Sequence, residues 1–263
     1  MIMKHLNEFV APLFIGAGLV LYSCAAVAIV NVEQAIIGKI TEGVHTSLDL
    51  LANGASGNTE KSVYKAELLN VWQHGEQTDI MQMQYSYGKS RGQVDTDSAF
   101  AHLRHRTALN STWAGEGFAQ ISRNPFARLA QRTLLGGGAR WVWFEKEKKS
   151  AAYLGFGVFH EQETRSRKLG TTDATDVSLW RANTYFVLKH RFNEQVRIHA
   201  TTYYQPATAD TADYRLLEQA ALLVKLSKRL DLKLSLDVAY DSKPAQTVQQ
   251  QDMFYSTGLE FSF

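Results

Sequence analysis

From about Glu42 to the last residue, apolar and polar positions alternate with a period of two, in runs of about ten residues parted by turn residues. The last run is the clearest. Met253, Tyr255, Thr257, Leu259, Phe261 and Phe263 share one face, and Phe254, Ser256, Gly258, Glu260 and Ser262 share the other. In the run before it, Leu230, Leu232, Leu234, Leu236, Val238 and Tyr240 oppose Asp231, Lys233, Ser235, Asp237 and Ala239. Successive side chains of a strand point to opposite sides. A strand with Lys and Asp on one side and only Leu, Val and Tyr on the other separates water from an apolar phase.

The pattern predicts twelve strands, at 43–55, 61–73, 78–88, 98–109, 112–122, 129–144, 150–160, 178–190, 195–205, 214–226, 230–240 and 252–263. Short connections fall near His74–Glu76, Asn110–Ser111, Glu145–Lys149, Arg191–Glu194 and Ser227–Arg229. Longer ones fall at Lys89–Asp97, Arg123–Arg128, Glu161–Val177, Pro206–Asp213 and Asp241–Gln251. Only Ser56–Glu60 breaks the alternation of short and long. Short turns at one end and long loops at the other are the plan of an up-and-down transmembrane barrel. The aromatics sort by end as interfacial girdles do. Trp72, Trp113, Trp141 and Trp143 lie near short turns, and Tyr85, Tyr87, Tyr203, Tyr204 and Tyr240 near long loops, with Trp180 against the trend. A soluble sandwich or lipocalin-like barrel also alternates. Against it stand the sorted aromatics, the heavily charged inner faces and the terminal Phe263. The reading is an all-β chain: a closed antiparallel up-and-down transmembrane β-barrel of twelve strands.

Several stretches carry a family resemblance. Gly54-Ala55-Ser56-Gly57-Asn58-Thr59-Glu60 resembles the GxSGNT signature of the salt-induced outer-membrane protein family, a bacterial family whose domain has no assigned function. The glycine-rich stretch Arg132–Trp141 is similar to that family's mid-chain strand. Asp213–Leu216, Leu232–Leu236 and Tyr240–Pro244 are similar to its last three strands. The third glycine of Gly136-Gly137-Gly138 departs from the pattern. The resemblance spans about residues 43 to 263. It implies a barrel in the outer membrane of a Gram-negative bacterium and, through the family's name alone, a role in osmotic or salt stress. It supplies no activity. It also implies that Tyr255, Phe261 and Phe263 form the signal by which the barrel assembly machinery takes up the last strand.

Residues 1–28 read as a leader. Phe9–Ala28 is apolar throughout, follows Lys4 and ends in Ala26-Val27-Ala28, which fits a cleaved signal peptide. A retained anchor and a lipoprotein signal ending at Cys24 are the alternatives. Residues 29–42 then form a short periplasmic segment, and 43–263 the barrel. The single cysteine excludes a disulfide framework and a cysteine-rich zinc site. The net charge of +2 and the charged fraction of 21% exclude a basic nucleic-acid binder and a disordered acidic tail.

Little in the chain suggests catalysis. Gly136–Gly138 lacks phosphate-loop spacing, and a strand bending past a close neighbour is the better reading. His102 and His105, three apart on a strand, face opposite ways and cannot share a metal. No nucleophile–base pair is visible, so no enzyme, cofactor or metal is expected, and an outer-membrane hydrolase is the third functional reading. The inward charges carry the most information. Candidate lumen-lining residues are Lys65, Glu67, Arg104, Arg106, Glu116, Arg132, Arg140, Arg181 and Arg197, with Asp49, Lys225, Lys233, Asp237 and Glu260 on the same face. They fit either a small passive channel with an Arg-containing lumen or a lumen filled by paired charges, in a barrel acting through its extracellular loops. The expected partners are outer-membrane lipid, lipopolysaccharide and the assembly machinery, with no nucleic acid; Arg165, Arg167 and Lys168 in the long loop fit either a contact with lipopolysaccharide or ordinary loop solvation.

Overall fold

The computed structural model describes residues 41–146 and 149–263. The expected leader, with its cleavage site, and nearly all of the expected 29–42 segment lie outside the described residues. The rest forms twelve antiparallel strands: β1 (Gly43–Ala55), β2 (Lys61–His74), β3 (Gln77–Ser90), β4 (Gln93–Ala108), β5 (Trp113–Asn124), β6 (Leu129–Lys146), β7 (Ser150–Arg165), β8 (Asp176–Arg191), β9 (Val196–Pro206), β10 (Tyr214–Lys225), β11 (Leu230–Asp241) and β12 (Gln251–Ser262). Each strand pairs with its neighbours in the chain, and β1 pairs with β12 to close the barrel. A single 3-10 turn, Pro125–Ala127, joins β5 to β6. Closure is what a bilayer demands, since lipid offers no partner to an open sheet edge.

The alternation predicted from sequence sets the two faces. On the last pair, Leu230–Tyr240 and Met253–Phe261 present their apolar sets outward, while Lys233 and Glu260 point in and are buried. Outside, large apolar side chains such as Leu103, Leu135, Phe156, Val158 and Tyr255 stay exposed, which suits contact with lipid. Trp72, Trp113 and Trp143 are exposed near the short turns, and Tyr64, Tyr85, Trp180 and Tyr204 toward the loops. Trp113 stacks on Trp141 at 6.2 Å, and Tyr214 stacks on Tyr240 at 5.7 Å. Several polar groups on the outward face are paired. Asn70 donates to Thr46, Thr202 donates to Glu218, and His105 meets Asp79.

Three expectations need correction. The connection expected over Lys89–Asp97 is a two-residue turn at Arg91-Gly92, with φ of 50° and 75°. This is the left-handed geometry of tight hairpins. β7 runs on to Arg165 and β8 begins at Asp176, so much of the loop expected over Glu161–Val177 is strand. In both places the ladder continues where apolar alternation has stopped, because hydrogen bonding outlasts lipid contact. Finally, Tyr203 is not a girdle residue. It is fully buried inside the barrel, since it alternates with the exposed Tyr204.

The glycine-rich strand has a steric cause. A Cβ on Gly138 would lie 2.2 Å from the Phe156 carbonyl oxygen and 2.7 Å from the Gly157 Cα, so β6 and β7 approach too closely for side chains there. Gly155 makes room for an aromatic instead, because its Cβ would fall 2.0 Å from the Tyr185 ring.

Candidate functional site in the barrel lumen

The inward positions of β4 through β10 build two layers across the lumen. Toward the short turns, Glu116 of β5 accepts from the Arg106 Nε at 2.6 Å and from the hydroxyl of Tyr185 on β8. β6 and β7 lie between β5 and β8, so this hydrogen bond is a chord across the barrel. Arg104 packs its guanidinium 5.6 Å from the Phe118 centroid and 5.8 Å from that of Tyr185, with an Nη1 3.8 Å from Glu116. Tyr203 lies 5.3 Å from Tyr185, and Phe159 lies 6.1 Å from Phe118. Cationic faces on aromatic rings and edge-to-face aromatic pairs both favour this packing. Phe118, Phe159, Tyr185, Tyr203 and Leu217 are all buried in one apolar cluster inside the barrel.

Toward the loops the second layer is ionic. Glu161 of β7 has no exposed surface and meets Arg215 of β10 at 2.6 Å, Arg181 of β8 at 3.0 Å and Arg132 of β6 at 3.7 Å. Glu163 meets Arg132 and Arg165 at 2.6 Å and Arg215 at 3.2 Å. Arg215 also reaches Asp241 at 2.8 Å, and Arg181 reaches Asp213 at 2.9 Å. Arginine's planar fork suits such shared carboxylates.

A third group lies by the closing strands. Lys233 contacts Asp49 and stands 3.6 Å from Glu260. Arg197 reaches Asp231 at 2.7 Å and Glu260 at 3.5 Å. Lys65 stands 3.6 Å from Glu67, which also accepts from Gln82 at 2.6 Å.

All nine candidate lumen residues thus sit on the inward face: Lys65, Glu67, Arg104, Arg106, Glu116, Arg132, Arg140, Arg181 and Arg197. Arg140 lies 3.8 Å over the Tyr153 ring. Tyr255, Phe261 and Phe263 sit on the outward side, with Phe263 hydrogen-bonded to the Thr46 backbone. His102 is buried inside at 3.1 Å from Gln120, while His105 is exposed outside. No group of three metal-binding side chains occurs among the described residues.

Sequence reading missed Glu161, Glu163, Arg215, Tyr185 and Tyr203 as lumen residues. The parity of Phe159, carried on in steps of two, would have placed Glu161 and Glu163 inside. Arg165, one of the bases read as a lipopolysaccharide contact or as an ordinary solvated loop residue, is half-buried and engaged by Glu163.

Over the mouth the loops after β7 and β11 meet at Arg128, which has a left-handed backbone with φ of 56°. Its guanidinium donates to Asp173 at 3.0 Å, to the Gln246 carbonyl at 2.8 Å and to the Ser166 carbonyl at 3.1 Å. Desolvation opposes the Asp173 charge, but hydrogen bonds from Arg128 and the Gln246 amide hold its carboxyl below the usual range.

Fold and lumen together define a transmembrane β-barrel of twelve strands with a charged, heavily packed interior. The model of the family described as "Protein of unknown function, DUF481" matches residues 49–263, and the chain belongs to that family. No curated protein matches the chain. Among solved structures, it is similar to NanC porin (TM-score 0.49, 10% identity, covering 82% of this chain and 98% of that one). It is also similar to KdgM porin in complex with disordered oligogalacturonate (0.47, 12%, 84% and 99%). A third is the translocator domain of autotransporter NalP from Neisseria meningitidis (0.46, 11%, 85% and 89%).

Proposed function

We propose that the protein resides in the outer membrane of a Gram-negative bacterium, exported by a leader over residues 1–28, as a barrel closed along its axis. In this reading it acts through its wall and extracellular loops and does not act as an open porin. The observation that carries it is the chord from Tyr185 to Glu116, with Arg104 against the rings on either side. A twelve-stranded barrel is narrow enough for such side chains to meet across it. The test is single-channel recording of the refolded chain in a planar bilayer with a salt gradient. Wild type is expected to give a folded, heat-modifiable barrel with no steps, and Tyr185→Ala with Glu116→Ala to give discrete ones. Steady wild-type steps overturn the reading.

A second reading, a small passive channel, is supported by the charge on one wall. Near the short turns Arg104, Arg106, Arg140 and Lys189 are set against Glu116 and Glu145. In that case conductance carries an anion-biased reversal potential, which Arg104→Ala with Arg132→Ala shifts toward zero. The link to salt stress rests on the family resemblance and is tested by growth of a deletion strain at raised salt.

A further inference from the structure

The wall is not equally closed around its circumference. β1 is paired along its whole length on one side, from Gly43 opposite Gln73 to Ala55 opposite Lys61. On the other side its ladder with β12 runs only from Ser47 opposite Ser262 to Leu50 opposite Leu259, with one further hydrogen-bonded position where Thr46 meets Phe263. β12 is itself paired with β11 up to Gln251 opposite Tyr240. Beyond Leu50 and Leu259 both strands therefore continue, each bonded to its other neighbour and not to one another. Residues 51–55 of β1 border this split. At about 3.3 Å per residue it is roughly 16 Å long.

An unpaired edge in a bilayer is costly and normally closed. This one opens at the loop-side margin of the wall, where Ala52 pairs with the exposed Tyr64. Its outward margins carry Ala52 and Gly54 on β1 and Tyr255 and Thr257 on β12, so the β1 side has little bulk to cover the gap. Asn53, on an inward position of β1, is exposed, and Phe254 and Ser256 on β12 are only half-buried.

Behind the foot of the split is a cavity of about 30 Å³, lined by Asp49, Lys65, Glu67, Lys233 and Ser256 among others. It presents both signs of charge. Lys65 makes only a loose pair with Glu67 at 3.6 Å and stands 5.7 Å over the Phe254 ring. The Asp49 Oδ1 is buried without a hydrogen-bond partner.

We propose that the split is a lateral portal. Through it a zwitterionic amphiphile of the surrounding leaflet brings its head to the mouth of this cavity, beside Lys65 and Asp49, while its chains remain in the bilayer. Lys65 takes the anionic part of the head and the free oxygen of Asp49 accepts from the cationic part. The proposal rests on the transmembrane placement of the barrel, and its test checks that placement separately.

The test uses the full mature chain in phosphatidylethanolamine vesicles. A benzophenone amino acid is placed, one at a time, at Phe254 (inward, at the split), Tyr255 (outward) and Phe118 (inward, behind closed wall). After irradiation, lipid adducts are read by mass spectrometry. Adducts are expected at 254 and 255 and not at 118, and Lys65→Ala should lower the yield at 254 severalfold without lowering that at 255. Adducts at 255 without any at 254 overturn the portal. An unchanged yield at 254 in Lys65→Ala overturns the head site. No adduct at 255 would instead remove the transmembrane placement itself. Heat modifiability of each variant shows that the barrel has formed.

Discussion

Glu161 offers the sharpest test of how dry the upper lumen is. Glu161→Gln keeps the shape of the side chain and removes its charge. The carboxylate has no exposed surface and makes two short ion pairs, to Arg215 at 2.6 Å and Arg181 at 3.0 Å, with Arg132 at 3.7 Å. A hydrogen bond to a charged group contributes about 1.5–3 kcal/mol. Breaking a buried ion pair from one side costs about 3–5 kcal/mol, because the surviving charge is left uncompensated. Here the survivors keep other partners: Glu163 and Asp241 for Arg215, and Asp213 for Arg181. The lower end, about 3 kcal/mol, is therefore expected. The assay is reversible urea unfolding in lipid vesicles, followed by emission of the five tryptophans. Adding Arg215→Gln should cost less in the Glu161→Gln chain than in wild type, since the two residues share one interaction. A loss below about 1 kcal/mol, the value of an exposed pair, would refute the reasoning, and water would then be screening this layer.

Three further outcomes follow from the geometry. Gly155→Ala should destabilise the barrel by about 1–3 kcal/mol through overpacking against Tyr185, and Tyr185→Leu in the same chain should recover most of it in the same urea titration. The Asp173 carboxyl is held below its usual range, so its contribution to the Arg128 latch is complete above that range and is lost only as pH falls through the lowered value. Protection against hydrogen exchange at 166–175, taken relative to the intrinsic amide rate at each pH, should accordingly stay constant from about pH 5 to 8 and fall only below about pH 4, the ordinary aspartate value. Lys243→Ala removes an exposed pair with Asp210 and should leave the unfolding midpoint unchanged.

The strands were legible because lipid imposes a rule that sequence can carry: one face must stay apolar wherever the wall meets hydrocarbon. Where strands rise beyond it, the rule lapses. β7 continues five residues past the expected end at His160, to Arg165, and the Glu161–Glu163 layer was hidden in what looked like a loop. Parity also gives a side chain's face and approximate depth. It does not give the partner across the lumen. That Tyr185 reaches Glu116 depends on Gly155 leaving space beneath the ring and on the close approach of β6 and β7 at Gly138 and Gly157. Neither condition has a periodic signature. Tyr203 and Tyr204 show the same limit from the other side, since two adjacent tyrosines near a loop suggest a girdle although only one can face lipid.

The two closures of this barrel pull in different directions. Along its axis, side chains from β4 to β10 cross the lumen in an aromatic and an ionic layer, and the Arg128 latch spans the mouth. Around its circumference, every joint between chain neighbours is a hairpin whose ladder starts at a turn and grows by local contacts. The joint between β1 and β12 has no turn to start it. Its strands are some two hundred residues apart in sequence, and each position must repay a large loop-closure entropy before it contributes. A ladder confined to Thr46–Leu50 is what survives of that joint, at the end of the barrel where Gly43 and Phe263 lie. The charged groups nearest to it, Asp49, Lys65, Glu67 and Lys233, are also those least involved in the two axial layers. A lumen crossed by two layers of side chains therefore keeps its loosest charges beside the shortest ladder of its wall. Exchange between that interior and its surroundings is better sought through the wall than through the mouth.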